Sequence, residues 1–194
     1  MNRKLTRRPN TLAHVRDFID AWYVNTSRRN APLLRSQFGN INDTGLPGDV
    51  HGSILTSGDP RFERALEGGI RELVLLLTSD FGLITYTSCE GHHYAGTAIT
   101  PAERHVGILP RNPSEYERVR QILAAAITHG GDLLVSAQVE CVTLEHYLID
   151  SAIRGISFPV IDMYLARRST WTSYFDDLPK VYESLVASIK ATST

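Results

Sequence analysis

Residues 83–94 read Leu-Ile-Thr-Tyr-Thr-Ser-Cys-Glu-Gly-His-His-Tyr, and the first half of this stretch decides the fold class. Leu83 to Thr87 follows Gly82, is short, and is rich in β-branched and aromatic residues, which predicts a buried strand. Before it, Asp59-Pro60 supplies a cap and a proline at the first helical position. Phe62, Leu66, Gly69, Ile70, Leu73, Val74 and Leu77 then recur at helical spacing to about Thr78. After it, His105 to Leu109 predicts a second strand. Asn112-Pro113-Ser114-Glu115 opens the next helix with a cap, a proline and a glutamate at the third position, and Gly130-Gly131 closes it.

The same reading extends in both directions. Leu12, Val15, Phe18, Ile19 and Trp22 share one helical face, with Asn10 or Thr11 as cap. Residues 133–143 and 158–165 alternate as strands, and a final helix runs from Asp177-Leu178-Pro179 to Lys190. The resulting expectation is an α/β (α+β) chain: a mixed β-sheet with helices packed on it, two α-β-β halves, an N-terminal helix and a long loop. Residues 1–10 form a basic arm and 11–194 a single domain. Within that domain, 25–58 is a connection rich in Asn, Gly, Pro and Asp that suits a lid or a partner-binding segment.

A chain of 194 residues buries about two thirds of the surface its unfolded form exposes, so it needs no disulfide or metal to hold a core. Its two cysteines, Cys89 and Cys141, lie far apart, and the basic start MNRKLTRRPN has no apolar run behind it. Both features predict a reducing, cytoplasmic setting. The longest strongly apolar stretch, around Leu73 to Leu77, is far below the roughly 20 residues that cross a bilayer, so no membrane partner is expected. The net charge of −1 divides unevenly: residues 1–35 carry +6 and the remainder −7. A basic segment on an acidic body suits RNA, a small anionic ligand, a partner protein or a second copy in a homo-oligomer.

Chemistry concentrates at Thr85-Tyr86-Thr87-Ser88-Cys89-Glu90-Gly91-His92-His93-Tyr94, which puts a thiol, a carboxylate and two imidazoles at a strand end. Three readings stand side by side. In the first, Cys89 is a nucleophile whose thiolate is favoured by His92 or His93, with Glu90 orienting the pair or accepting a proton. Ser88, Gly91 and His93 then line the ligand site, and Arg104 and Arg111, flanking the second strand, hold a phosphate or carboxylate. In the second, Cys89 and His92 join Cys141 and His146 as four ligands for zinc, with His93, His105 and Glu90 as substitutes. In the third, Cys89 is a small buried hydrophobe, Glu90 and His92 make turn hydrogen bonds, and His93-Tyr94 face solvent.

No P-loop, G-x-G-x-x-G, G-x-S-x-G or H-E-x-x-H pattern occurs, which lowers the standing of the common nucleotide-binding and hydrolase classes. The functional expectation is a small enzyme acting on a phosphate- or carboxylate-bearing ligand, nucleotides and RNA included, by thiol- or metal-assisted chemistry. The alternative is a non-catalytic subunit that uses its basic arm and long loop to join a larger assembly.

Overall fold

The computed structural model describes residues 11–24, 32–49 and 54–192; the basic arm 1–10, with the expected cap Asn10, lies outside the described residues. The apolar spacing at the start of the described chain builds two elements rather than one helix. Strand β1 (Thr11–Leu12) precedes helix α1 (Val15–Asp20), and His14 at the helix start has a left-handed backbone, φ 57°. No local side chain caps α1. Asp150, distant in sequence but paired with Leu12 across the β1–β6 ladder, instead accepts hydrogen bonds from the backbone N–H of His14 and Val15 at 3.1 and 2.9 Å.

The expected long loop carries a two-stranded antiparallel ribbon, β2 (Leu34–Arg35) with β3 (Ile41–Asn42); its segments 25–31 and 50–53 lie outside the described residues. The helix expected over 59–78 is broken. It forms α2 (Phe62–Ala65) and α3 (Gly68–Leu75), and α3 is prolonged by a π-helical turn over Leu76–Asp80. Leu66 and Glu67 between the two are extended, with ψ of 129° and 143°.

Strands β4 (Thr85–Cys89) and β5 (Arg104–Ile108) follow, then helix α4 (Pro113–Ser136), capped as expected by the Asn112 side chain, which accepts from the Glu115 N–H at 2.9 Å. Gly131 does interrupt the helix, at φ 47° and ψ −134°, but helical turns resume beyond it. Residues 133–136 are therefore helical, and the strand expected from 133 begins at 139 as β6 (Val139–Asp150), followed by β7 (Ser157–Arg167). Helix α5 (Trp171–Ala191) starts six residues before the expected Asp177, capped by Thr170, whose side chain accepts from the Ser173 N–H. Pro179 sits inside it. The early start buries Tyr174 completely, and that packing outweighs the backbone hydrogen bond that proline cannot donate.

The five main strands lie in the order β1-β6-β7-β5-β4. All neighbours are antiparallel except β1, which runs parallel to β6. The chain order α3-β4-β5, α4-β6-β7, α5 matches the expected pair of α-β-β units. One face of the sheet, with Val106, Ile108, Ile161, Met163 and Leu165, shares a core with α3, α4 and α5 through Ile70, Leu73, Leu123, Val181, Leu185 and Ile189. By strand alternation the other face carries Thr87, Cys89, His105, Gly107, Asp162 and Tyr164. Between it and α1, α2 and the β2–β3 ribbon lies a cleft of about 870 Å³. Among the described residues no helix is long and apolar enough to cross a membrane.

Candidate metal centre at the end of strand β4

Helix breakage creates the site. Glu67 is the N-cap of α3, so its side chain leaves the helix surface and turns toward the end of β4. The Gly68-Gly69 pair that follows permits close approach: a Cβ on Gly69 would lie 2.7 Å from Arg104 Nη2 and 3.1 Å from Glu90 Cβ. Glu67 and Glu90 then clamp the two elements reciprocally. The Glu90 N–H donates to Glu67 Oε2 at 2.8 Å, and the Gly69 N–H donates to Glu90 Oε2 at 2.6 Å.

Beyond Glu90 the backbone turns at Gly91, φ 81°, where a Cβ would stand 3.1 Å from the Arg104 nitrogen. The turn brings His92 into a two-bond bridge with Ala102, both bonds 3.0 Å, and drives its ring under the sheet end, 2 % exposed. Nδ1 lies 3.0 Å from the Phe38 carbonyl and Nε2 lies 3.1 Å from Glu67 Oε1. Tyr94 stacks on the ring at 5.7 Å and is itself held by Asn40, whose amide donates to the phenolic oxygen at 2.9 Å.

Burial opposes charge on His92, but hydrogen bonds to Cys89 and Glu67 and their negative charge outweigh it, and its pKa is pushed up to about 10. A carbonyl only accepts, so Nδ1 carries a proton; a carboxylate at Nε2 calls for a second. Glu67, Cys89 and His92 each turn one ligand-type atom inward, all within 4.8 Å of one another. A tetrahedral zinc ion holds such atoms about 3.5 Å apart, a separation that small side-chain shifts reach from here. Glu67 and Cys89 line the cleft, while His92 lies behind them.

The other expected residues divide by position. Glu90 is at the site, but its carboxylate serves α3, with Oε1 3.9 Å from His92 Nδ1. Ser88 pairs with Val106 in the ladder, is half-buried and is among the residues that line the cleft. His93 is exposed and stacks on Phe175 at 5.3 Å, whereas Tyr94, expected in solvent, is buried. Arg104 stands behind Glu90, donating from Nε to its carbonyl at 2.7 Å and stacking over Tyr182 at 4.4 Å. Burial pulls the Arg104 pKa down from its usual value. Arg111 is beyond the opposite end of β5, where it pairs with Glu115 and donates to the Gly82 carbonyl, so the two arginines do not form one pocket.

The expected quartet of Cys89, His92, Cys141 and His146 does not converge. Cys89, His105, Tyr164 and Val142 form one rung across four strands, which spans about 14 Å at the usual strand spacing. Cys141, next to Val142, is therefore far from Cys89 and on the opposite face. His146, five positions along the regular β6 ladder, faces away from Cys141; its Nε2 lies 3.0 Å from Asp162 Oδ2, without the alignment of a hydrogen bond. The residues that sequence reasoning missed are Glu67, Asn40 and the Phe38 carbonyl. Glu67-Gly68-Gly69, an acid before two small residues, was the available signal for a helix start. Comparison with protein-family models, with curated proteins and with solved structures finds no match to this chain.

Proposed function

We propose that Glu67, Cys89 and His92 hold a divalent transition metal, zinc by the chemistry of the donor set, and that the protein is a metal-assisted enzyme acting on a small ligand in the adjoining cleft. The observation that carries this reading is the pairing of three converging donors with a carbonyl on the far nitrogen of the histidine. Metal-ligating histidines characteristically donate their second N–H to such an acceptor, which fixes the tautomer and aims the ring. Three protein ligands beside a cleft match catalytic rather than structural zinc sites, which close with four. A metal held there supplies Lewis acidity and acidifies a water for attack on a carbonyl-type or related centre.

The protein's own groups divide the remaining work. Cys89 and Glu67 present their donors to the cleft, Phe38 orients His92, and the backbone N–H groups of Ile41 and Glu90 hold the Glu67 carboxylate at 3.2 and 2.8 Å. His92 takes a metal through Nε2 only once that nitrogen has released its proton to the solvent. A Cys89 thiolate beside the His92 imidazolium is the second reading, and the zinc measurement separates the two.

Elemental mass spectrometry on tag-free protein, beside Cys89→Ser and Glu67→Gln, tests the proposal. The expected result is near-stoichiometric zinc in the wild type and its loss in both variants, each of which still folds by circular dichroism. Wild-type protein that retains no metal after zinc loading and dialysis overturns it and leaves the non-catalytic assembly subunit as the reading to pursue.

A further inference from the structure

The pairing of β4 with β5 slips at Tyr86: Thr85 faces Ile108 and Thr87 faces Gly107, so β4 spends one residue more than its neighbour. A bulge of this kind re-aims a side chain. Strict alternation with Thr87 would place Tyr86 on the helix-covered face, yet its ring stands on the cleft face. It crosses β5 over Gly107, where a Cβ would be 2.6 Å from Tyr86 Cε1 and 2.7 Å from Asp162 Oδ1. The hydroxyl donates to Asp162 on β7 at 2.6 Å, and Asp162 also accepts from Tyr164 at 3.1 Å. Asp162 is 0 % exposed, an expensive place for a carboxylate unless its contacts serve a purpose. A bulge, a glycine and a buried acid on three strands thus hold one aromatic ring in place. That half-buried ring is part of the cleft wall, three residues from Cys89. His105, directly across from Cys89 and stacked on Tyr164 at 5.1 Å, adds a second ring to the same wall.

We infer that Tyr86 is a specificity-determining residue: a fixed stacking platform for the planar heterocycle of a ligand bound beside Glu67, Cys89 and His92. The inference rests on the reading above in taking the cleft as the ligand site, but it stands on different residues. Aromatic faces accept any planar base, because stacking requires a π-face and no particular hydrogen-bond pattern. The wall also carries the carboxylates of Asp43, Asp49 and Glu67, which suits a ligand without phosphate, so uncharged nucleosides are the appropriate probes.

Calorimetric titration of the full chain, zinc-loaded and chelator-treated, with adenosine, cytidine and ring-free ribose tests this directly in wild type, Tyr86→Phe and Tyr86→Leu. Nucleosides should bind and ribose should not. Tyr86→Phe should stay within about 3-fold of wild type and Tyr86→Leu should weaken binding by about 10-fold or more. Saturation-transfer NMR on the wild type, expected to favour base over ribose protons, decides the matter should Tyr86→Leu fail to fold. Equal binding by Tyr86→Leu, or no nucleoside binding in either metal state, overturns the inference. Nucleoside binding that depends on Tyr86 in a protein that holds no zinc sinks the metal centre alone; zinc without nucleoside binding does the reverse.

Discussion

Cys89 and His92 are three residues apart, and their proximity was readable from the sequence; the third donor, Glu67, was not, because the helical periodicity around it placed its side chain on a helix surface. What binds the three is charge. In the metal-free protein His92 donates to Phe38 and to Glu67 at once, which only the imidazolium can do. Its pKa, raised from 6.5 to about 10, makes this contact a source of stability with a defined pH window. The folded chain holds the proton more tightly than the unfolded one, so the contribution is complete below pH 6.5 and disappears as the pH rises toward 10. Urea unfolding of chelator-treated protein across that range should show a decline in wild type that is smaller in Glu67→Gln, since Cys89 still holds part of the His92 proton affinity. Parallel profiles would remove the ion pair from the account.

Two helices show how elements acquire their ends from distant contacts. The start of α1 is fixed by Asp150 at the end of β6, and local cap residues play no part. The start of α5 is fixed by Thr170, since Trp171, Tyr174 and Phe175 pack their rings together ahead of the Asp-Leu-Pro signal that suggested a later beginning. Thr170→Ala should therefore lower stability by about 1 kcal/mol, the usual cost of a lost N-cap, in denaturant unfolding. No change would mean that the helix begins further along. The capping signal at Asn112-Pro113-Ser114-Glu115 was read correctly because all its parts are local: Asn112 accepts from Glu115, and Glu115 turns back to Arg111.

Across the whole molecule, the sheet order decides which cysteine belongs to the site. Cys141 lies three strands over from Cys89 and on the other face, so Cys141→Ser should keep the full zinc content of the wild type while Cys89→Ser loses it, as read by elemental mass spectrometry. Loss of metal in both would contradict the strand order. The sequence by itself determined the α/β class, the alternation of helices with paired strands, the helix start at Asn112 and the Cys89–His92 half of the site, because periodicity, caps and short spacings are properties of neighbouring residues. Only the tertiary structure decided that Glu67 completes the cluster, that Cys141, His146 and Arg111 stand apart from it, and that Tyr86 faces the cleft. Those outcomes depend on a helix break opposite a strand end, on strand order, and on a bulge over a glycine. Each is a relation between segments distant in the chain, and local pattern carries no record of such relations.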